Sequence, residues 1–101
     1  MANDNFSSLL SSTLVMEIDA FIHRNGGDYT AWVVGLTNDV EAALASHGVD
    51  RNKHKVSTLN ALTDKRAGLI VDYFTHKGCA AGRQEGAGFV YAYRRAFNTT
   101  P

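Results

Sequence analysis

The chain has 101 residues, and its 10 Lys and Arg balance its 10 Asp and Glu to a formal net charge of zero. This balance excludes a uniformly basic nucleic-acid module and an acidic tail, and the length allows one domain, residues 1–101. The charges are unevenly distributed, because residues 1–50 hold seven acids and one base, whereas residues 51–101 hold nine bases and three acids. Halves of opposite charge favour a polar partner or polar self-assembly.

The first predicted element is a helix over residues 6–24. Its apolar residues recur at intervals of three and four, so they share one helical face. They are Phe6, Leu9, Leu10, Leu14, Ile18, Phe21 and Ile22. The pair Gly26 and Gly27 follows, and glycine beyond the last turn can take the left-handed conformation that ends a helix.

A strand is predicted at residues 29–36, which are aromatic and β-branched but do not alternate cleanly with polar residues. We therefore expect the sheet to be covered on both faces at this strand. A short helix follows from the capping sequence at residues 38–41 and ends at Gly48. Its apolar side is predicted to contain Val40, Ala43, Leu44 and His47.

The middle of the chain predicts a polar basic loop, a strand and a third helix. Residues 50–55 form the loop, and residues 56–59, with the β-branched Val56 and Thr58, form the strand. The third helix begins at Thr63 and Asp64 and ends at Gly78. Its predicted apolar face is Ala67, Ile70, Val71 and Phe74.

The last part predicts a flexible loop and a final strand. Residues 78–88 contain four glycines in eleven positions, which indicates a loop rather than a regular element. Residues 89–97 are predicted to form a strand, because aromatic residues at 89, 91 and 93 alternate with smaller ones. The predicted order is α-β-α-β-α-β, a single α+β domain with a three-stranded sheet packed by about three helices.

The sequence also predicts where the protein resides. No apolar segment approaches the roughly 20 residues that cross a membrane, and residues 1–5 are acidic and polar, unlike a signal peptide. The chain has a single cysteine, Cys79, which cannot form an internal disulfide. We expect a cytoplasmic protein without a membrane partner, and the composition does not distinguish a cellular from a viral origin.

Two segments carry a resemblance to a known family. Residues 32–39, Trp-Val-Val-Gly-Leu-Thr-Asn-Asp, resemble the second half of the GIY-YIG nuclease signature. Residues 72–79, the glycine-rich segment and residues 90–93 are similar to small GIY-YIG-like proteins of bacteria and phages. The similarity covers about residues 29–95 and implies a GIY-YIG-like fold.

The resemblance implies a nuclease chemistry whose residues are largely missing here. The family uses a tyrosine, a helical arginine and a metal-binding glutamate, and the matching positions are Val33, Ala42 and Ala43, and Asp72. We therefore expect a non-catalytic protein without a cofactor or bound metal. The alternative is a degenerate nuclease or phosphodiesterase that depends on a divalent metal. Its candidate catalytic residues are His47, Asp72, Tyr29 and Tyr91.

Basic and aromatic residues of the second half suggest binding to a macromolecule, either protein or nucleic acid. The candidate contacts are Arg51, Lys53, Lys55, Arg83, Tyr91, Tyr93, Arg94 and Arg95. Arg83 stands out because it lies within the glycine-rich segment. Two alternatives remain open: a solvated basic face without a partner, and a structural homo-oligomer, for example a homodimer in which the basic half of one copy meets the acidic half of another.

Overall fold

A computed structural model describes residues 2–85 and 88–99, with the side chains of residues 13–82 and 88–99. Its elements, in chain order, are α1 (Ala2–Arg24), a turn of 3-10 helix (Tyr29–Ala31), β1 (Trp32–Thr37), α2 (Val40–Ser46), β2 (Val56–Asn60), α3 (Asp64–Lys77), β3 (Ala80–Glu85) and β4 (Phe89–Arg94). The α+β class and the three predicted helices are confirmed.

The helix boundaries follow from capping groups in the sequence. The side chain of Asp39 accepts a hydrogen bond from the Ala42 N–H at the start of α2, and Thr63 accepts one from Arg66 N–H at the start of α3. Gly78 ends α3 in the left-handed conformation, with φ 119°. The structure extends α1 to Ala2, four residues before its predicted start.

The sheet has four strands in the order β2-β4-β1-β3, so the predicted count of three strands is wrong. β1 pairs parallel with β3, while β4 pairs antiparallel with both β1 and β2. The additional strand, β3, occupies part of residues 78–88, the segment predicted to be a flexible loop. The prediction treated glycine as a loop residue, but strands also contain glycine where another group approaches the backbone closely.

Helices cover both faces of the sheet. On one face, apolar side chains of α1 and α3 pack with Trp32, Val34 and Leu36 of β1. On the other face, Ala43 and Leu44 of α2 pack with Val33 of β1 and with tyrosines of β4. All six residues of β1 are buried, which confirms that this strand is covered on both sides.

Tyr91 of β4 lies across the sheet above two glycines. It is paired with Gly35 of β1, and a Cβ atom at Gly35 would overlap the Tyr91 hydroxyl and ring. A Cβ at Gly82 of β3 would lie 2.5 Å from the same hydroxyl oxygen. The register of β1 and β3 shifts at this place, between Val34 and Leu36. The ring can therefore span from β4 over β1 to β3 only because both positions lack a side chain.

Alanine at either glycine should destabilise the fold. We expect Gly35→Ala and Gly82→Ala each to lower the free energy of unfolding by about 1–3 kcal/mol, because the new methyl group displaces the Tyr91 ring. Urea denaturation would measure the change.

The matched control is Gly68→Ala on α3, where a Cβ meets no heavy atom within 4 Å. This change should raise the free energy of unfolding by about 0.5–1 kcal/mol, because alanine favours a helix over glycine. Unchanged stability of both Gly35→Ala and Gly82→Ala would show that the ring does not occupy this position.

Candidate functional site

Two of the candidate catalytic residues, His47 and Tyr91, contact each other in the layer between α2 and the sheet. The His47 Nε2 atom lies 2.9 Å from the Tyr91 hydroxyl oxygen. His47 caps the C-terminal end of α2, and its ring packs against the rings of Tyr91 and Tyr93 at centroid distances of 5.5 and 5.3 Å. Three residues that are far apart in sequence thus form one aromatic cluster.

The surroundings of this cluster are those of a protein core. Tyr91 and Tyr93 have no exposed surface, and His47 is 2% exposed. Burial, and then the neighbouring Tyr91, raise the pKa of the Tyr93 phenol. A histidine and a tyrosine in hydrogen-bond contact can exchange a proton, but a reaction also needs a substrate within reach of the pair. In this arrangement the pair instead attaches α2 to the sheet.

The other two candidate catalytic residues lie elsewhere. Tyr29 is in the 3-10 turn and packs against the core on the α1 and α3 side of the sheet. Asp72 is exposed on α3, which packs in that same layer. The sheet separates both residues from His47, so the four side chains do not converge on one site.

Tyr29 belongs to a polar cluster with two residues that the sequence analysis did not identify. Its hydroxyl group donates a hydrogen bond to Asp19 Oδ1 at 2.6 Å. His23 Nε2 lies 3.2 Å from the same hydroxyl and 3.4 Å from Asp19 Oδ2. The hydrogen bond to Asp19 raises the pKa of Tyr29 to about 12, because it stabilises the protonated phenol. The i, i+4 spacing of Asp19 and His23 could have indicated their contact, but not the presence of Tyr29.

This cluster predicts a pH dependence of stability at high pH. Below pH 10.0, the ordinary pKa of tyrosine, Tyr29 keeps its proton in both folded and unfolded protein. Between pH 10.0 and about 12 the unfolded chain releases the proton first, so the wild-type protein should lose stability relative to Tyr29→Phe. Urea unfolding of both proteins from pH 8 to 12 would measure this difference.

Asp19→Asn is the control for that experiment, since it removes the charged acceptor and leaves the phenol in place. In the Asp19→Asn background the effect of Tyr29→Phe should vary much less with pH. A wild-type difference that stays constant up to pH 12 would contradict a raised Tyr29 pKa.

A second candidate site lies where β4 ends and β2 begins. The Arg94 N–H donates a hydrogen bond to the Lys55 carbonyl at 3.0 Å, one residue beyond the paired residues Val56 and Tyr93. The predicted basic loop therefore lies next to Arg94 and Arg95, at the C-terminal end of β4. We call this surface the basic end, and its residues are Arg51, Lys53, Lys55, Arg94 and Arg95.

Hydrogen bonds give the loop of the basic end a defined conformation. The Asp50 carbonyl accepts hydrogen bonds from the backbone N–H groups of Lys53 and His54, and its side chain accepts one from Asn52. His54 Nδ1 accepts a hydrogen bond from the Asp50 N–H at 2.8 Å. The other ring nitrogen of His54 then carries hydrogen and can donate to Asn98 Oδ1, at 3.0 Å.

Acidic residues neutralise part of the basic end. Glu41 accepts hydrogen bonds from two guanidinium nitrogens of Arg51, with distances down to 2.9 Å. The Arg94 guanidinium lies above Gly26, since a Cβ there would be 3.6 Å from it. Hydrogen bonds from Thr30 and, more weakly, the charge of Arg94 lower the pKa of Asp28. No ion pair involves Lys53, Lys55 or Arg95 among the described side chains, those of residues 13–82 and 88–99.

Three candidate binding residues do not lie on this surface. Tyr91 and Tyr93 are buried, so their rings offer no face to a partner in this structure. Arg83 lies on β3, whose register places it between the residues that face Val34 and Leu36. Its side chain lies outside the described part of the chain. The basic end therefore contains the other five candidate binding residues.

Among the described residues, no group of three His, Cys, Asp or Glu side chains is placed to hold a metal ion. None of the described helices is both long and apolar enough to cross a membrane. Comparisons with protein-family models, with curated proteins and with solved structures found no match.

Proposed function

We propose that this chain is a non-catalytic, GIY-YIG-like binding module whose basic end contacts an anionic macromolecule, either a protein or a nucleic acid. The observation that carries the proposal is the hydrogen bond from Arg94 N–H to the Lys55 carbonyl. It joins two basic segments that are about 40 residues apart in sequence into a single surface. The free, buried thiol of Cys79 supports a cytoplasmic location.

The pairing of Lys55 with Arg94 supports a bound anion. Residues directly opposite each other on antiparallel strands have neighbouring side chains, and like charges there are destabilising. Asp28 offsets the charge of Arg94 in part, whereas no acid contacts Lys55 in the described residues. A phosphate or carboxylate placed between the two cations would remove this repulsion.

Replacement of two lysines of the basic end by glutamate should weaken binding to polyanions. We expect Lys53→Glu/Lys55→Glu to raise the Kd for heparin and for labelled oligonucleotides about tenfold or more, because attraction to the negative charges is lost. Fluorescence anisotropy, with heparin as a competitor, would measure both affinities. Lys55→Glu alone should also raise stability by up to about 1 kcal/mol, since it places opposite charges across from each other.

The matched control is Lys65→Glu in the first turn of α3, compared with Lys55→Glu alone, since each changes the net charge by the same amount. Lys65→Glu should change the Kd much less, because α3 follows the end of β2 at Asn60, at the opposite end of the sheet from Lys55. Equal weakening by Lys55→Glu and Lys65→Glu would contradict a localised site and would indicate attraction by net charge alone.

A degenerate metal-dependent nuclease is the second candidate, and the hydrogen bond between His47 and Tyr91 is the observation that favours it. Against it stand the burial of both side chains and the residues Val33, Ala42 and Ala43 at the family's catalytic positions. Hydrolysis of plasmid or single-stranded DNA with Mg²⁺ or Mn²⁺ would distinguish the two. Cleavage that is lost in both His47→Ala and Asp72→Ala would contradict the non-catalytic proposal.

A further inference from the structure

Phe97 is fully exposed and lies two residues after Arg95. The turn that contains it is closed by hydrogen bonds between its two ends. The Ala96 N–H donates to Thr99 Oγ1 at 2.9 Å, and the Thr99 N–H donates to the Ala96 carbonyl at 3.1 Å. The ring of Phe97 thus projects from a defined turn next to the basic end.

This turn is also held against the rest of the molecule. Asn98 contacts His54 of the basic loop at 3.0 Å. The Asn98 carbonyl approaches Gly48 so closely that a Cβ there would lie 2.9 Å from the oxygen. The backbone that follows Phe97, at Asn98, is therefore fixed. A contact made by the Phe97 ring then causes little further loss of conformational entropy.

We propose that the basic end binds single-stranded nucleic acid, with Phe97 stacking on an unpaired base and Lys53, Lys55 and Arg95 contacting the phosphates. This inference rests on the proposed binding function and names its partner. Proteins that bind single strands combine a basic surface with exposed aromatic rings, because every unpaired base offers a flat face to stack upon. In a duplex the base faces are already stacked, so Phe97 would have no partner there.

The observations favour this partner over the two others that a basic surface can attract. A membrane surface requires a broad apolar face, and one phenylalanine provides too little apolar area for stable attachment. The exposed Phe89 cannot enlarge it, since it lies at the opposite end of β4. An acidic protein segment would pair with the cations but gives no reason for an exposed aromatic ring beside them.

The test compares two exposed phenylalanines in the full chain. We expect Phe97→Leu to raise the Kd for a labelled oligothymidylate of about 12 nucleotides roughly tenfold, because leucine cannot stack on a base. Phe97→Trp should bind at least as tightly as the wild-type protein. Phe89→Leu, the matched control, should leave the Kd unchanged. A duplex of equal length, heparin and anionic phospholipid vesicles serve as comparison probes.

The results separate this inference from the function on which it rests. Weakening by Phe97→Leu of oligothymidylate binding, but not of heparin or duplex binding, supports it. An unchanged Kd in Phe97→Leu, together with weakening in Lys53→Glu/Lys55→Glu, overturns stacking and leaves the basic end as a charge-dependent site. Vesicle binding that requires Phe97, without oligonucleotide binding, overturns it in favour of a lipid surface. Absence of binding to every polyanion overturns both proposals.

Discussion

The position of Tyr91 above Gly35 and Gly82 is the contact on which much of the architecture depends. The ring spans three strands, and its hydroxyl group contacts His47 at the end of α2. One side chain therefore relates β4 to β1, β1 to β3, and the sheet to the helix on this face. Because protein interiors are close-packed, a methyl group added at either glycine has no free volume to occupy. This constraint restricts the register of the inner strands and the position of α2 on the sheet.

The same constraint bears on function. His47 and Tyr91 belong to residue types that often act in catalysis, but here each is buried and serves as the other's partner. The sheet separates them from Tyr29 and Asp72, so these side chains do not form a common reaction centre. The basic loop and the basic residues that end β4 meet where β2 begins. This division, with packed aromatics inside and a cluster of cations at one end, is the reason that we propose binding rather than cleavage.

Local sequence signals predicted much of the fold. The apolar spacing of Ala67, Ile70, Val71 and Phe74 and the flanking Thr63 and Gly78 defined α3, since helix periodicity and caps depend only on neighbouring residues. The strand β3 was missed because its glycine is required by Tyr91, a residue distant in sequence. The burial of Tyr91 and Tyr93 was not predictable either. The alternation in β4 places both side chains on one face, but α2 determines that this face is buried.

The residues of the candidate sites were predictable only in part, because contacts between residues distant in sequence bring them together. The basic residues of the loop and of β4 were visible in the sequence, but their adjacency arises from the pairing of β2 with β4. Asp19 and His23 were missed because their role depends on Tyr29, which reaches them only in the folded chain. The alternation predicts a strand that includes Phe97, but β4 ends at Arg94, and the turn closed by Thr99 leaves the Phe97 ring in solvent.

The most direct measurement is a pair of double-mutant cycles that combine Tyr91→Phe with each glycine substitution. At Gly82 the nearest atom to a new Cβ is the Tyr91 hydroxyl oxygen at 2.5 Å, and the next ring atom is 3.2 Å away. At Gly35 the ring carbon Cζ itself lies 2.5 Å away. Removal of the hydroxyl should therefore reduce the cost of Gly82→Ala by about 1 kcal/mol, with a much smaller effect on Gly35→Ala. An equal cost of Gly82→Ala with and without the hydroxyl would contradict the account.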